Sequence, residues 1–205
     1  MLLPLLAPAS SMSQVEYAVV TPRPLDFPRD HGAHPDYRTE WWYLTGWLDG
    51  EPPLGFQVTF FRTRTTIDPA NPSAFAARQL IIAHAAIADP NRGTLLHDQR
   101  IARAGFGAAS ASVEDTDVQL DRWRLMRSAS NGVYRCAIAA RGFTLDFDAQ
   151  PTQPLLLQGE AGYSRKGPRA EHASYYYSQP QLAVRARVTR DGKSEQRSGR
   201  GWLDH

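Results

Sequence analysis

The 205-residue sequence has one cysteine, Cys136, so no disulfide can form within the chain and oxidative stapling of a small core is excluded. Lysine occurs only at Lys166 and Lys193, leaving arginine to carry almost all the positive charge. Those arginines alternate with acidic residues, form no basic block, and leave a net charge of +2. No nucleic-acid footprint is present. There is no apolar run of about 18 residues, which excludes a membrane-spanning helix. Helical periodicity, internal repeats, heptads and low-complexity tracts are also missing. So are a Gly-x-Ser-x-Gly elbow, a glycine-rich phosphate loop, a His-Glu-x-x-His pair and a supported Cys–His arrangement, and hydrolysis therefore lacks a visible nucleophile.

What is present describes a folded chain. Apolar residues make up 42% and charged residues 21%, close to globular averages. The length fits one large β-rich domain or two small ones. The first residues, MLLPLLAPASSMSQ, carry a short apolar patch followed by Ala7-Pro8-Ala9-Ser10, like the end of a secretory signal. They lack a positive n-region, and the patch is shorter than the usual run of about 7–15 residues. Residues 1–14 are therefore expected to be a signal remnant or an unstructured leader, with the folded domain at 15–205. A periplasmic or secreted location follows from the first alternative, a cytoplasmic or membrane-associated one from the second.

Period-two alternation and turn signals recur along the rest. WWYLTGWL ends at Asp49-Gly50, FQVTFFRTRT follows Pro52-Pro53, and IIAHAAIAD precedes Pro90-Asn91-Arg92-Gly93. VYRCAIAA follows Asn131-Gly132, FTLDFDA precedes Pro151, and LAVRARVTR precedes Asp191-Gly192. Short strands separated by Gly, Pro, Asn and Asp predict an all-β antiparallel sandwich or barrel. In FQVTFFRTRT, Phe56, Val58 and Phe60 share one face and Gln57, Thr59 and Phe61 the other. Residues 66–79 read as a long connection able to lid a barrel mouth, and 105–119 as a weak strand or short helix.

Chemistry concentrates in FPRDHGAHPDYRTEWWYLTGWLDG, residues 27–50. A loop rich in His, Asp, Arg and Pro leads into a strand on which Trp41 and Tyr43 share one face and Glu40 and Trp42 the other. By the same alternation Tyr175 shares a face with Tyr177, and Trp202 with Asp204. If those strands are neighbours, Asp204 is expected inside the molecule among indole and phenol rings. A carboxyl group enclosed by rings loses solvation of its charged form and can stay protonated, while ring faces stabilise a nearby cation by about 0.5–2 kcal/mol each. Those are the requirements for protonating an alkene. The alternatives are structural: Trp-Trp-Tyr as core, Asp204 bonded to backbone donors, and Asp30, Asp36 and Arg38 as loop ion pairs. His31 and His34, three apart in a loop without further ligands at metal spacing, do not predict a metal, and no cofactor is expected.

The motifs FPRDHGAHPDYRTEWWYLTGWL, GFQVTFFR, AHAAIAD, YYYSQPQLAV and GWLDH, in this order over residues 27–205, resemble the carotenoid 1,2-hydratase (hydroxyneurosporene synthase) and AttH-like family. The resemblance implies a lipocalin-like (calycin) antiparallel β-barrel, the first of two, with a large elongated apolar substrate held inside a barrel. The family's last motif continues as Trp-x-Asp-His-Glu-Trp into a C-terminal barrel, which is the expected intramolecular partner. It implies hydration of an isoprenoid or carotenoid-type C=C bond without a redox cofactor. Asp204 would be the general acid and His205 its orienting partner. Trp202, Tyr175 and Tyr177 would line the substrate or stabilise its cation, with Glu40, Trp41, Trp42, Tyr43 and His34 on the facing wall. A non-catalytic carrier or export accessory for an apolar ligand, with peripheral membrane contact, is the alternative, and a secreted hydrolase a weaker one. Arg185-Ala186 stands where relatives often have a glycine.

Overall fold

The computed structural model describes residues 15–169 and 171–205. The expected leader at 1–14 lies outside the described residues. Four long strands come first, β1 (Thr39–Leu48), β2 (Leu54–Arg64), β3 (Gln79–Ala88) and β4 (Leu96–Arg103). They are followed by β5 (Ala109–Ala111), β6 (Asp117–Leu120), β7 (Trp123–Arg127), β8 (Tyr134–Ala140) and β9 (Phe143–Pro151). Then come the short β10 (Leu156–Leu157), β11 (Tyr163–Arg165) and β12 (Ala173–Tyr175), and the long β13 (Tyr177–Arg190) and β14 (Lys193–Asp204). The stretch 105–119 therefore supplies strand, not helix.

The main sheet runs β4-β3-β2-β1-β14-β13-β9-β8-β7-β6-β5, entirely antiparallel, with β10 against β13 and a separate β11–β12 hairpin. Two meanders, β1–β4 and β5–β9, are joined through the β13–β14 hairpin. The sheet curls into a nearly closed barrel, and side chains bridge its remaining seam. Arg100 on β4 reaches the Asp121 carboxylate at 2.6 Å and the Ala139 carbonyl at 2.6 Å, and its guanidinium lies 4.6 Å from the Trp123 ring centroid. Asp98, also on β4, accepts the Arg141 backbone N–H at 3.0 Å.

Alternation fills the interior. Leu54, Phe56, Val58 and Phe60 of β2, Ile81, Ala83, Ala85 and Ile87 of β3, Phe143, Leu145, Phe147 and Ala149 of β9, and Leu182, Val184, Ala186 and Val188 of β13 all point inward. With Trp42, Trp123 and Tyr134 they form one contiguous buried cluster. Burying each large side chain contributes about 1.5–3 kcal/mol, so these positions carry most of the fold's stability. Among the described residues these side chains make the interior a packed core. The Arg185-Ala186 departure is absorbed by the same alternation, because Ala186 faces the core while Arg185 is exposed and aligned with Asp148 of β9.

The segment before β1 caps one end of the barrel. A single 3-10 turn at Arg29–His31 is pinned by Thr116 Oγ1 and Trp42 Nε1, both donating to the His31 carbonyl, at 2.9 and 3.0 Å. Ala33 N–H donates to the Ser112 carbonyl at 2.7 Å, which buries Asp30, His31 and Ala33.

The join between β1 and β14 depends on glycine. Gly46 lies opposite Gly201 and Leu48 opposite Gly199. A Cβ at Gly46 would overlap the Arg200 carbonyl and come within 2.8 Å of the Gly201 Cα, and one at Gly199 would overlap the Trp47 carbonyl and come within 2.8 Å of the Leu48 Cα. Gly46→Ala and Gly199→Ala should each destabilise the fold by about 1–3 kcal/mol, the usual cost of overpacking. Urea denaturation checks this, and unchanged midpoints would mean that the strand pair relaxes freely.

Candidate functional site

Two groups of polar and aromatic residues meet where β1, β13 and β14 end, one on each side of the sheet. The inner group lies at the capped barrel mouth. Glu40 is the first inward residue of β1 and is directly paired with Arg62 of β2, so the register itself makes a buried ion pair. Arg62 is 2% exposed and each of its three guanidinium nitrogens makes a hydrogen bond: Nε to Glu40, one terminal nitrogen to Gln79 Oε1 at 2.8 Å, the other to the Tyr37 carbonyl at 2.9 Å. Burial of this charge is tolerated because it is paired with the Glu40 carboxylate and every nitrogen has a partner.

A second buried carboxylate completes the group. Asp30 receives a two-pronged contact from Arg23 at 2.7 and 2.8 Å and the Asp26 backbone N–H at 2.6 Å. His34 bridges the carboxylates, with Nε2 2.8 Å from Asp30 Oδ1, Nδ1 3.0 Å from Glu40 Oε2, and its backbone N–H donating to both Glu40 oxygens. His205 closes the group from the end of β14. Its Nδ1 donates to the Trp41 carbonyl at 2.6 Å and its ring stacks on Trp42, with centroids 4.8 Å apart. Ligand atoms of His34, Glu40 and His205 all lie within 4.8 Å of one another. Beside them is a cavity of about 70 Å³, also bordered by Asp30, Tyr37, Trp41, Tyr175 and Tyr177. That volume holds roughly two waters at about 30 Å³ each.

The electrostatics of the mouth follow from burial and pairing. Burial pushes the Glu40 carboxyl up, but the His34 hydrogen bond and the Arg62 charge outweigh it and hold it below the usual carboxylate range. Asp30 behaves alike: burial opposes, and Arg23, the Asp26 N–H and His34 hold it well below that range. Burial pushes the His31 imidazole down to about 3, with the Arg127 charge adding to the effect. Burial also lowers His205, against the opposing charge of Glu40.

The outer group is built on the opposite faces of the same strands. Asp204 is aligned with Tyr43 of β1 and Ser178 of β13. Its Oδ1 accepts from Ser178 Oγ at 2.5 Å and Trp202 Nε1 at 2.7 Å. Trp41 meets Tyr176 edge to face at 6.1 Å, and the Lys166 ammonium sits 4.4 Å from the Tyr176 ring centroid. Trp41, Tyr43, Trp202 and Asp204 are half-buried, and Trp47, farther along β1, is half exposed.

The expected site residues therefore divide. Glu40, Trp42, His34, His205, Tyr175 and Tyr177 belong to the mouth, and Asp204, Trp202, Tyr43 and the Trp41 ring to the outer face. Asp204 does not lie in the interior, and its expected pairing with His205 does not form, because consecutive strand residues point to opposite sides of the sheet. Its aromatic neighbours include Trp202, not Tyr175 and Tyr177. His31 and His34 also part company. His31 is buried with Nδ1 2.7 Å from Tyr177 Oη, while His34 joins Glu40 and His205. Asp30, expected as a loop ion pair, is only 3% exposed. Its spacing of four from His34 was the available signal. Tyr176 and Ser178 stood within the YYYSQPQLAV motif without an assigned role, and Arg23 and Arg62 carried no signal, since each is recruited from elsewhere in the chain.

A curled antiparallel barrel of lipocalin-like form, with a buried carboxylate–histidine mouth and an aromatic outer face, defines the class of protein. The AttH-like family model matches residues 18–205, and the chain belongs to that family. An AttH-assigned protein from Nitrosomonas europaea is 52% identical with a TM-score of 0.81, over 91% of this chain and 56% of its own. Kievitone hydratase from Nectria haematococca shares the fold with a TM-score of 0.60 at 11% identity, over 80% of this chain and 46% of that one. The chain thus spans about half the length of each solved relative. Among curated proteins none matches significantly.

The mouth residues set a pH dependence. The lowered imidazoles stay neutral in the fold where an unfolded ring would take a proton, so their contribution is complete above about pH 6.5 and shrinks as pH falls. For His31 the loss continues down to about 3. The lowered carboxylates contribute above their ordinary values near 4 and are lost as pH falls further. Denaturation midpoints should be level above about pH 7 and fall steadily below it, and His31→Gln should flatten the slope between roughly pH 6 and 4. An unaltered slope would assign it to other groups.

Proposed function

We propose that the chain carries a hydratase-like acid site, on the outer face of β1 and β14, acting on a C=C bond of an apolar isoprenoid-type ligand. The observation that carries this reading is the carboxylate of Asp204 set among Trp202, Tyr43 and the Trp41–Tyr176 pair. With Oδ1 occupied by Trp202 and Ser178, Oδ2 is the oxygen that delivers the proton. The alkene carbon takes that proton, the neighbouring carbon becomes cationic beneath the aromatic faces, and water adds there. The adding water returns a proton to Asp204, so the net change is one water gained. Likeness in fold supports the same direction: a hydratase shares it, and in both solved structures about half of the chain lies outside the match, with length for a second wall over this face.

A second reading, an apolar-ligand carrier without catalysis, is favoured by one observation. Asp204 points away from the mouth cavity, and its Oδ1 is engaged by two donors.

Incubation of the full chain with prenylated or isoprenoid alkenes in heavy-oxygen water, followed by mass spectrometry, separates the readings. Hydration predicts one labelled oxygen per product and a loss of about 100-fold or more in Asp204→Asn, with ligand uptake retained. Product formation unchanged in Asp204→Asn would sink the acid assignment, and uptake without product would favour the carrier.

A further inference from the structure

We propose that His34, Glu40 and His205 form a binding site for one divalent transition-metal ion of the zinc type at the barrel mouth. This site is separate from the outer face and does not depend on the hydratase reading.

The donor set is two imidazoles and one carboxylate, a combination suited to zinc and its neighbours in the transition series. Their ligand atoms lie within 4.8 Å of one another. Donors about 2.1 Å from a shared ion lie roughly 3 to 3.5 Å apart. His34 Nδ1 and Glu40 Oε2, at 3.0 Å, already meet that spacing, and the His205 ligand atom lies within 4.8 Å of the other two. The decisive feature is the outer shell. Histidines that bind metals nearly always donate their other N–H to a carboxylate or a backbone carbonyl, which fixes the tautomer and aims the free nitrogen. Both forms occur here. His34 Nε2 is 2.8 Å from Asp30 Oδ1, and His205 Nδ1 is 2.6 Å from the Trp41 carbonyl, which leaves Nδ1 of His34 and Nε2 of His205 for the ion. Arg62 and the His34 backbone N–H steady the Glu40 carboxylate, with Arg62 on Oε1 and Oε2 turned to the histidine. The ion would replace the proton between His34 Nδ1 and Glu40 Oε2, which passes to solvent.

Charge and access are consistent with this. Arg23 and Arg62 offset Asp30 and Glu40, so the ion's charge is not balanced by protein and the open coordination position favours water or an anionic oxygen. All three ligands border the same cavity, so that position has room for such a group.

The test uses the full chain, stripped with chelator and titrated with Zn²⁺ and Co²⁺ by calorimetry and visible absorption. About one ion per chain should bind. His34→Gln and His205→Gln, each checked for native circular dichroism, should weaken binding by more than the 10- to 100-fold that loss of an outer-shell partner costs. If a variant fails to fold, pulsed electron paramagnetic resonance of the Cu²⁺-loaded wild-type chain decides, with two coordinated imidazoles expected. No stoichiometric binding, binding undiminished in both folded variants, or no imidazole signal would overturn the proposal.

Discussion

The pairing of β1 with β14 is the constraint on which the rest depends. Contacts within each meander form between neighbours in sequence, but this ladder joins residues 43–48 to residues 199–204 and brings the two ends of the domain together. Close backbone approach across it requires glycine at positions 46 and 199, where a side chain would strike a carbonyl oxygen. Without that pairing His205 would have no Trp42 to stack on and no Trp41 carbonyl to hold its ring, and Asp204 would have no Tyr43 beside it.

One ladder thus builds two chemical environments of opposite character. Inward, ionisable groups are buried at the cap and neutralise one another, so the mouth consists of paired charges and rings kept neutral by burial. Outward, the carboxylate of Asp204 is held by an indole N–H and a hydroxyl and remains partly open. The sheet itself separates them, since they occupy opposite faces of the same strands, which explains how one barrel can hold an ion-pair network at its mouth while presenting an aromatic platform on its outer face. Lipocalin-like folds place function by such local arrangements, so kinship in fold alone does not assign it.

Much of the architecture was legible. The six stretches read as strands from alternation and turn residues fall in β1, β2, β3, β8, β9 and β13, because an antiparallel sheet with one face on the core imposes a period of two on its sequence. The aromatic clusters at 41–43 and 175–177 lie beside the mouth and outer-face groups. The assignment of faces failed in a specific way. The alternation that joins Trp202 to Asp204 also separates Asp204 from His205, yet adjacency in GWLDH suggested a catalytic pair. Both faces of these strands carry aromatic residues, so composition gave no sign of which one turned inward.

By itself the sequence determined the all-β class, the core of six strands, the turns that follow them and the AttH-like family, since these rest on local periodicity and on motifs that stay intact when read in order. Only the tertiary structure decided that Asp30 and Arg62 are buried, that His34 meets His205 across 171 positions of chain while His31 three residues away does not, and that Asp204 faces outward. The physical reason is that burial and pairing of charged groups depend on which strands become neighbours. That choice is made by long-range hydrogen-bond register and core packing, neither of which leaves a mark on any short stretch of chain.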